Sequence, residues 1–265
     1  FQVERGTPTL CFLDLCALPT RCVVPRQTSE KLGDRWLQAR PLPVSGAFQL
    51  ESWRLNDRIR LRKNPSYWDA AHTQSQMVDV LPCSLATTAL NLYQSGRADI
   101  VWDKELVPIE LVDVLRQRPD FHRFDYLGTY FIRFNTTRKP FDDVRVRQAL
   151  TLAIDKKRLV EKFAKAGEKV ADTFVPPVLP NYQSPPGLAP NSELARRLLA
   201  EAGFPGGKNF PRFDYLYNTG KTHEQIAVEL QEMWRRELGL RVELRQQEMK
   251  VYFQAQTRLE YDTCR

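Results

Sequence analysis

A chain of 265 residues, 42% apolar and 27% charged, is long enough and mixed enough to bury a core, so a disordered or fibrous protein is excluded. Its formal charge of +7 favours solubility and acidic partners, but the basic residues are interleaved with acids, as in WRLNDRIRLRKN and EMWRRELGLRVELRQQE. Such scattering reads as solvated faces and argues against a nucleic-acid surface, which needs a concentrated patch; no apolar run reaches membrane-spanning length either.

The chain opens at Phe1 in FQVERGTPTLCF and closes in the strand-like RLEYDTCR, so both ends read as cut from longer sequence. Cysteines stand at 11, 16, 22, 83 and 264 with no CxxC or Cys/His spacing. They are expected to be mostly free, buried thiols, the alternative being one disulfide among the first three.

Period-two apolar spacing in GAFQLESW (Gly46–Trp53) and RIRLRKN (Arg58–Asn64), joined across an Asn-Asp turn, predicts a β-hairpin. NPSYWD then closes it with a Pro turn and an aromatic plug. A helix capped by Ser84 follows, with Leu85, Ala89 and Leu92 on one face and a stop at Gly96. ADIVW (98–102) reads as a buried strand, and Pro108–Asp120 as a helix with Pro108 in its first turn. Tyr126–Phe141 starts strand-like and loses its period, as a crossover between lobes would.

In KPFDDVRVRQALTLAID, Asp142 or Asp143 sits where a helix start favours a carboxylate, and Val146, Leu150, Ala153 and Ile154 share a face. The arginines edge that amphipathic helix, and Arg147 is placed to pair with an acid nearby. Val170–Pro190 is too rich in proline for helix or central strand and is expected to be a surface loop. After it come a helix over 191–204 capped by Asn191 or Ser192, a strand at Phe213–Asn218, and a helix over 222–240. In the last, Thr222 and Gln225 form a capping-box pattern, and Ile226, Leu230, Trp234 and Leu238 form the apolar stripe before Gly239. RVELRQQE adds a strand, and the alternation of helices and strands predicts an α/β layer.

Several of these blocks occur together in one order: GAFQLESW with DRIRLRKNPSYWD, ALNLYQSGRADIVW, FNTTRKPFDDVRVRQALTLAIDKKRLV, FVPPVLPNY, ARRLLAEAGFPGG, and LYNTGKTHEQIAVELQEMWRRELGLRVELRQQEMKVYF. The set resembles the oligopeptide-binding proteins of ABC importers, within the bacterial extracellular solute-binding family 5, from about Gly33 onward. The resemblance implies an α/β, two-lobed periplasmic-binding-protein-like (type II) fold, present here as an incomplete middle portion. Residues 1–129 would belong to the first lobe and 130–265 to the second, with a crossover near 126–138. It further implies a monomeric, non-enzymatic protein without cofactor or metal, periplasmic or extracellular, its export signal lying outside this chain. Such a protein captures peptides between its lobes and delivers them to the membrane subunits of an ABC importer.

In that family the ligand lies as an extra strand, held by main-chain hydrogen bonds and by charges at its ends. His223, in NTGKTHEQIA, matches a histidine that meets a ligand carboxylate, and Arg265 matches an arginine with the same task in shorter peptides. Met249 stands where relatives carry a pocket tryptophan and Gln256 where one has a basic residue, both departures. Tyr130 and Phe131, in the crossover, could face the cleft or pack in the core. Gly128 takes the place of a disulfide cysteine, so no bridge to Cys264 is expected. Two alternatives stand beside this reading: the same fold with a nickel chelate, an oligosaccharide or a signalling peptide as ligand, and a hydrolase on an α/β core. The second lacks a cluster of catalytic polar residues. His72 and His122 read as surface residues.

Overall fold

Alternating side chains and a left-handed Asn56 (φ 58°) fold residues 48–63 into the expected hairpin, β1 (Phe48–Arg54) with β2 (Arg58–Lys63), preceded by two short helices, α1 (Phe12–Cys16) and α2 (Arg26–Leu32). In this computed structural model residues 6, 8, 11–165, 167–176, 179 and 182–265 are described, the side chain of Arg21 excepted. A third strand, β3 (Met77–Val80), pairs antiparallel with β2, and the carboxylate of Asp79 crosses to the guanidinium of Arg60 through two bonds of 2.7 Å. These elements form one compact unit, Phe1–Ser84; Leu85–Arg265 form a second.

Among the described residues of the first unit, Asn64 has the single buried side chain. Its amide accepts from Gln49 Nε2 (2.8 Å) and donates to the Gly46 carbonyl (2.8 Å), satisfying a group that would be costly to bury alone. The expected aromatic plug is therefore corrected: Trp68 is 84% exposed, and a polar amide closes the hairpin in its place. Burial of the cysteines is also corrected for three of the five, since Cys11, Cys16 and Cys22 are exposed and only Cys264 is buried.

The second unit begins with α3 (Ala86–Gln94), which follows Leu85 without a side-chain cap, so Ser84 does not take the predicted role; Gly96 ends it with φ +70°. ADIVW forms no strand. A strand needs a partner's ladder, none of the described strands runs beside it, and Ile100 and Trp102 stay exposed. The helix predicted over 108–120 is replaced by a 3-10 turn, Ile109–Leu111, leading into α4 (Val112–Leu115). Within Tyr126–Phe141, expected to start strand-like and lose its period, the described strand is β4 (Arg133–Phe134).

Beyond β4 the sequence reading and the structure converge. Asp143 caps α5 (Val144–Leu152), accepting from the Arg145 amide at 2.8 Å, and Val146, Ala149 and Leu150 are fully buried. Arg147, expected to meet an acid, donates to the carbonyls of Phe141 (2.7 Å) and Asp142 (2.9 Å) instead. A short helix, α6 (Lys156–Leu159), leads into the proline-rich segment. That segment carries no strand or α-helix among its described residues; Pro177, Val178, Pro180 and Asn181 of the predicted loop lie outside them. Asn191 then caps α7 (Ser192–Glu201), accepting from the Leu194 amide at 2.9 Å.

β5 (Phe213–Asn218), α8 (Lys221–Leu238), β6 (Val242–Gln247), α9 (Met249–Thr257) and β7 (Thr263–Cys264) complete the chain. The predicted capping box at Thr222 does not form, as the cap position of α8 falls two residues earlier, on Gly220. The sheet runs β4-β7-β5-β6, with β5 parallel to both neighbours and β4 antiparallel.

Residues alternate across this sheet. Phe213, Tyr215 and Tyr217 join α5, α7 and α8 in the main core, whereas Leu216 packs with Tyr252, Ala255, Tyr261 and Cys264 under α9. Trp234 anchors the larger layer, fully buried, its Nε1 donating to the Leu150 carbonyl at 2.9 Å. Helices thus cover both faces of a largely parallel sheet, the α/β arrangement expected.

Candidate functional site

In an open parallel sheet the crevice lies beyond the carboxyl ends of the strands, where helices begin and their free N–H groups point outward. Here β5 ends at Asn218, β6 at Gln247, and Arg265 follows β7; α8 and α9 start at the same edge. The Arg265 amide continues the β5 ladder, donating to the Leu216 carbonyl at 3.0 Å.

His223 lies in the first turn of α8, only 7% exposed, and its Nδ1 has no hydrogen-bond partner among the described residues. Its ring sits close against the turn below: a Cβ added at Gly220 would lie 2.8 Å from His223 Cδ2, so glycine is required there. Tyr130 packs beside it with ring centroids 5.8 Å apart, and on the same tyrosine the guanidinium carbon of Arg265 lies 5.3 Å from the ring centroid. Arg265 Nη1 also donates to Asn218 Oδ1.

Burial, and after it the charges of Arg265 and Lys104, lower the pKa of His223 to about 4. The imidazole is therefore neutral at pH 7, with both of its electrostatic neighbours cationic. Burial raises the pKa of Tyr130, with Glu105 adding to it weakly. Close by, the Tyr215 hydroxyl is buried against that of Tyr130, and its pKa is held well above the ordinary phenol value, chiefly by desolvation. A first helical turn, a guanidinium and an unpaired buried imidazole together make a place for an anion.

Of the sequence-predicted residues, His223, Arg265 and Tyr130 come together. Phe131 does not join them: it packs edge-on against Phe174 (4.8 Å, 73°), with the Arg133 guanidinium 4.4 Å from its ring centroid. Gln256 is half-buried and donates to the Tyr252 hydroxyl at 3.0 Å. Met249 opens α9 and lines a shallow groove with Lys250, Phe253 and Thr257, which none of the clustered three enters. His72 and His122 are exposed, and no group of three metal-ligating side chains occurs among the described residues.

Asn218, Lys104 and Tyr215 were not legible as site residues. Asn218 ends an apolar strand directly before Thr-Gly-Lys-Thr-His, and a polar residue at a strand's carboxyl end was the available signal. Lys104 is brought in by the tertiary fold alone.

The family profile described as bacterial extracellular solute-binding proteins, family 5 middle, matches residues 4–265, further toward the start than the sequence blocks extend. The periplasmic oligopeptide-binding protein OppA of Salmonella typhimurium is 37% identical over all of this chain and 50% of its own length. A periplasmic oligopeptide-binding protein of Borrelia burgdorferi, OppAIV, superposes with a TM-score of 0.88 at 31% identity, over 98% of this chain and 51% of that one. Haemophilus influenzae OppA in complex with the peptide RPPGFSPFR superposes with a TM-score of 0.83 at 27% identity, over 98% and 52%. The chain spans about half the length of the curated relatives it matches.

Proposed function

This chain belongs to the bacterial extracellular solute-binding proteins of family 5, and we propose that it is the middle portion of a protein that captures oligopeptides for import. The parent protein works in the periplasm, hands its ligand to the membrane subunits of an ABC importer, and makes or breaks no bond. Its affinity difference between ligand-bound and ligand-free conformations does the work. Residues 130–265 supply one lobe wall, and residues 1–129 part of the other. Peptide is the ligand class favoured by the relatives' names.

The observation that carries the reading is the cluster of His223, Tyr130 and Arg265 at the carboxyl edge of the sheet. Its part is to hold the ligand's terminal carboxylate. Arg265 supplies fixed charge in a planar fork, neutral His223 supplies a ring N–H, and the first turn of α8 supplies the favourable end of a dipole. Burial strengthens each of these against water.

Calorimetry on the full-length parent tests this with tri- to pentaalanine peptides, each as the free acid and as the C-terminal amide. The free acids are expected to bind at least about tenfold more tightly, a difference of ~1.4 kcal/mol. Equal binding of acids and amides would remove the carboxylate site, and no heat with any peptide would remove the peptide reading. A non-peptide ligand is the second reading, favoured by Met249 and Gln256, which depart from the peptide binders' residues at those places.

A further inference from the structure

Asn218 is 2% exposed at the last position of β5, where a buried carboxamide must have all its groups placed. It is paired in the ladder with Gln247 of β6, so its backbone is held from the sheet side. Its Nδ2 donates to the Thr219 carbonyl at 3.0 Å, and its Oδ1 accepts from Arg265 Nη1. Both bonds specify the same orientation. Turning the amide over would set two donors against the guanidinium and an oxygen against a carbonyl.

Arg265 is thereby held from two directions. Asn218 takes one N–H at the edge of the guanidinium plane, and the Tyr130 ring flanks the group, its centroid 5.3 Å from the guanidinium carbon. A guanidinium carries five in-plane donors, so a pair of them stays available for a two-pronged contact with a carboxylate. A long, freely rotating arginine must be ordered when it binds; one already ordered does not lose that freedom again.

We infer that Asn218 is a positioning residue: through its bond to Arg265 it fixes the guanidinium and so sets the preference of the site for a terminal carboxylate over a neutral terminal amide. This rests on the reading of Arg265 as an anion-binding residue. Asn218 acts through the arginine, with no contact to the ligand required.

The test is a double-mutant cycle in the full-length parent, read as the ratio of affinities for the alanine peptide acids and their C-terminal amides. Asn218→Leu lowers that ratio about tenfold in the wild-type background, the loss expected when a side chain must be ordered anew on binding. In an Arg265→Met background the same substitution leaves the ratio unchanged within about twofold, since there is no guanidinium left to place. Equal losses in both backgrounds, or an undiminished ratio in Asn218→Leu, would overturn the inference while leaving the carboxylate site intact. A wild-type protein that does not distinguish acid from amide overturns both. Should Asn218→Leu fail to fold, Asn218→Ser, whose shorter side chain draws the oxygen back from Arg265 and keeps the strand end polar, is held to the same ratios.

Discussion

The two sheets of this protein make a direct contrast. In β1-β2-β3 every strand is antiparallel, with one register shift between Leu50 and Ser52, yet among the described residues of that unit no apolar side chain is buried, and Trp53, Leu55 and Trp68 lie open. In β4-β7-β5-β6 the strands are no longer than those of the first sheet, but helices lie on both faces and Tyr215, Leu216, Leu230 and Trp234 are fully enclosed. Backbone pairing shapes a sheet, and removal of apolar area from water is what gives it a core. The cluster of His223, Tyr130 and Arg265 lies beside the second sheet, where rigid neighbours can hold it.

The sharpest way to break this contrast is to truncate the same residue type in both units. Trp234→Ala is expected to lower the unfolding free energy of the parent by about 3–5 kcal/mol, while Trp68→Ala changes it by less than about 0.5 kcal/mol. Equal losses in denaturant titrations would mean that the first sheet is as well buried as the second.

A smaller effect concerns His223. Its folded-state pKa of about 4 lies below the ordinary 6.5, so the unfolded chain binds the proton more readily. Stability is unaffected above pH 6.5 and declines as pH falls from there to 4. The decline amounts to at most about 3 kcal/mol. In His223→Gln this part of the pH profile flattens; an unchanged slope would remove the buried neutral imidazole from the account. By the same linkage, a bound carboxylate raises the His223 pKa, and ligand affinity grows as pH drops below the raised value.

The smallest expected effect sharpens the comparison from the side of the first sheet. Asn64→Ala removes its buried hydrogen bonds and is expected to cost about 1–3 kcal/mol, read from hydrogen exchange of the β1-β2 amides. If those amides exchange as slowly as before, the hairpin is held by something other than its buried amide.

Legibility followed the same division. Helices α5, α7 and α8 and strands β5 and β6 were readable because each buries one face or alternates across the sheet, so a 3.6-residue or two-residue period survives in the apolar pattern, whereas the short α6 and α9 were not predicted. ADIVW and the 108–120 helix were misread because apolar content alone says nothing of which ladder or layer is at hand, and Ile100 and Trp102 found none. At the site, His223 and Arg265 were found through the resemblance of their surroundings, and Phe131 was named on position alone; it packs against Phe174.

By itself the sequence determined the family, through the resemblance of its ordered blocks, and the α/β character of the second unit, because helix stripes and strand alternation are local physics. Only the tertiary structure decided that Tyr130 stands between His223 and Arg265, that Asn218 grips the arginine, and that the imidazole is neutral. Those are meetings of residues more than 40 positions apart or consequences of burial, and neither distance in space nor loss of water is written into neighbouring letters.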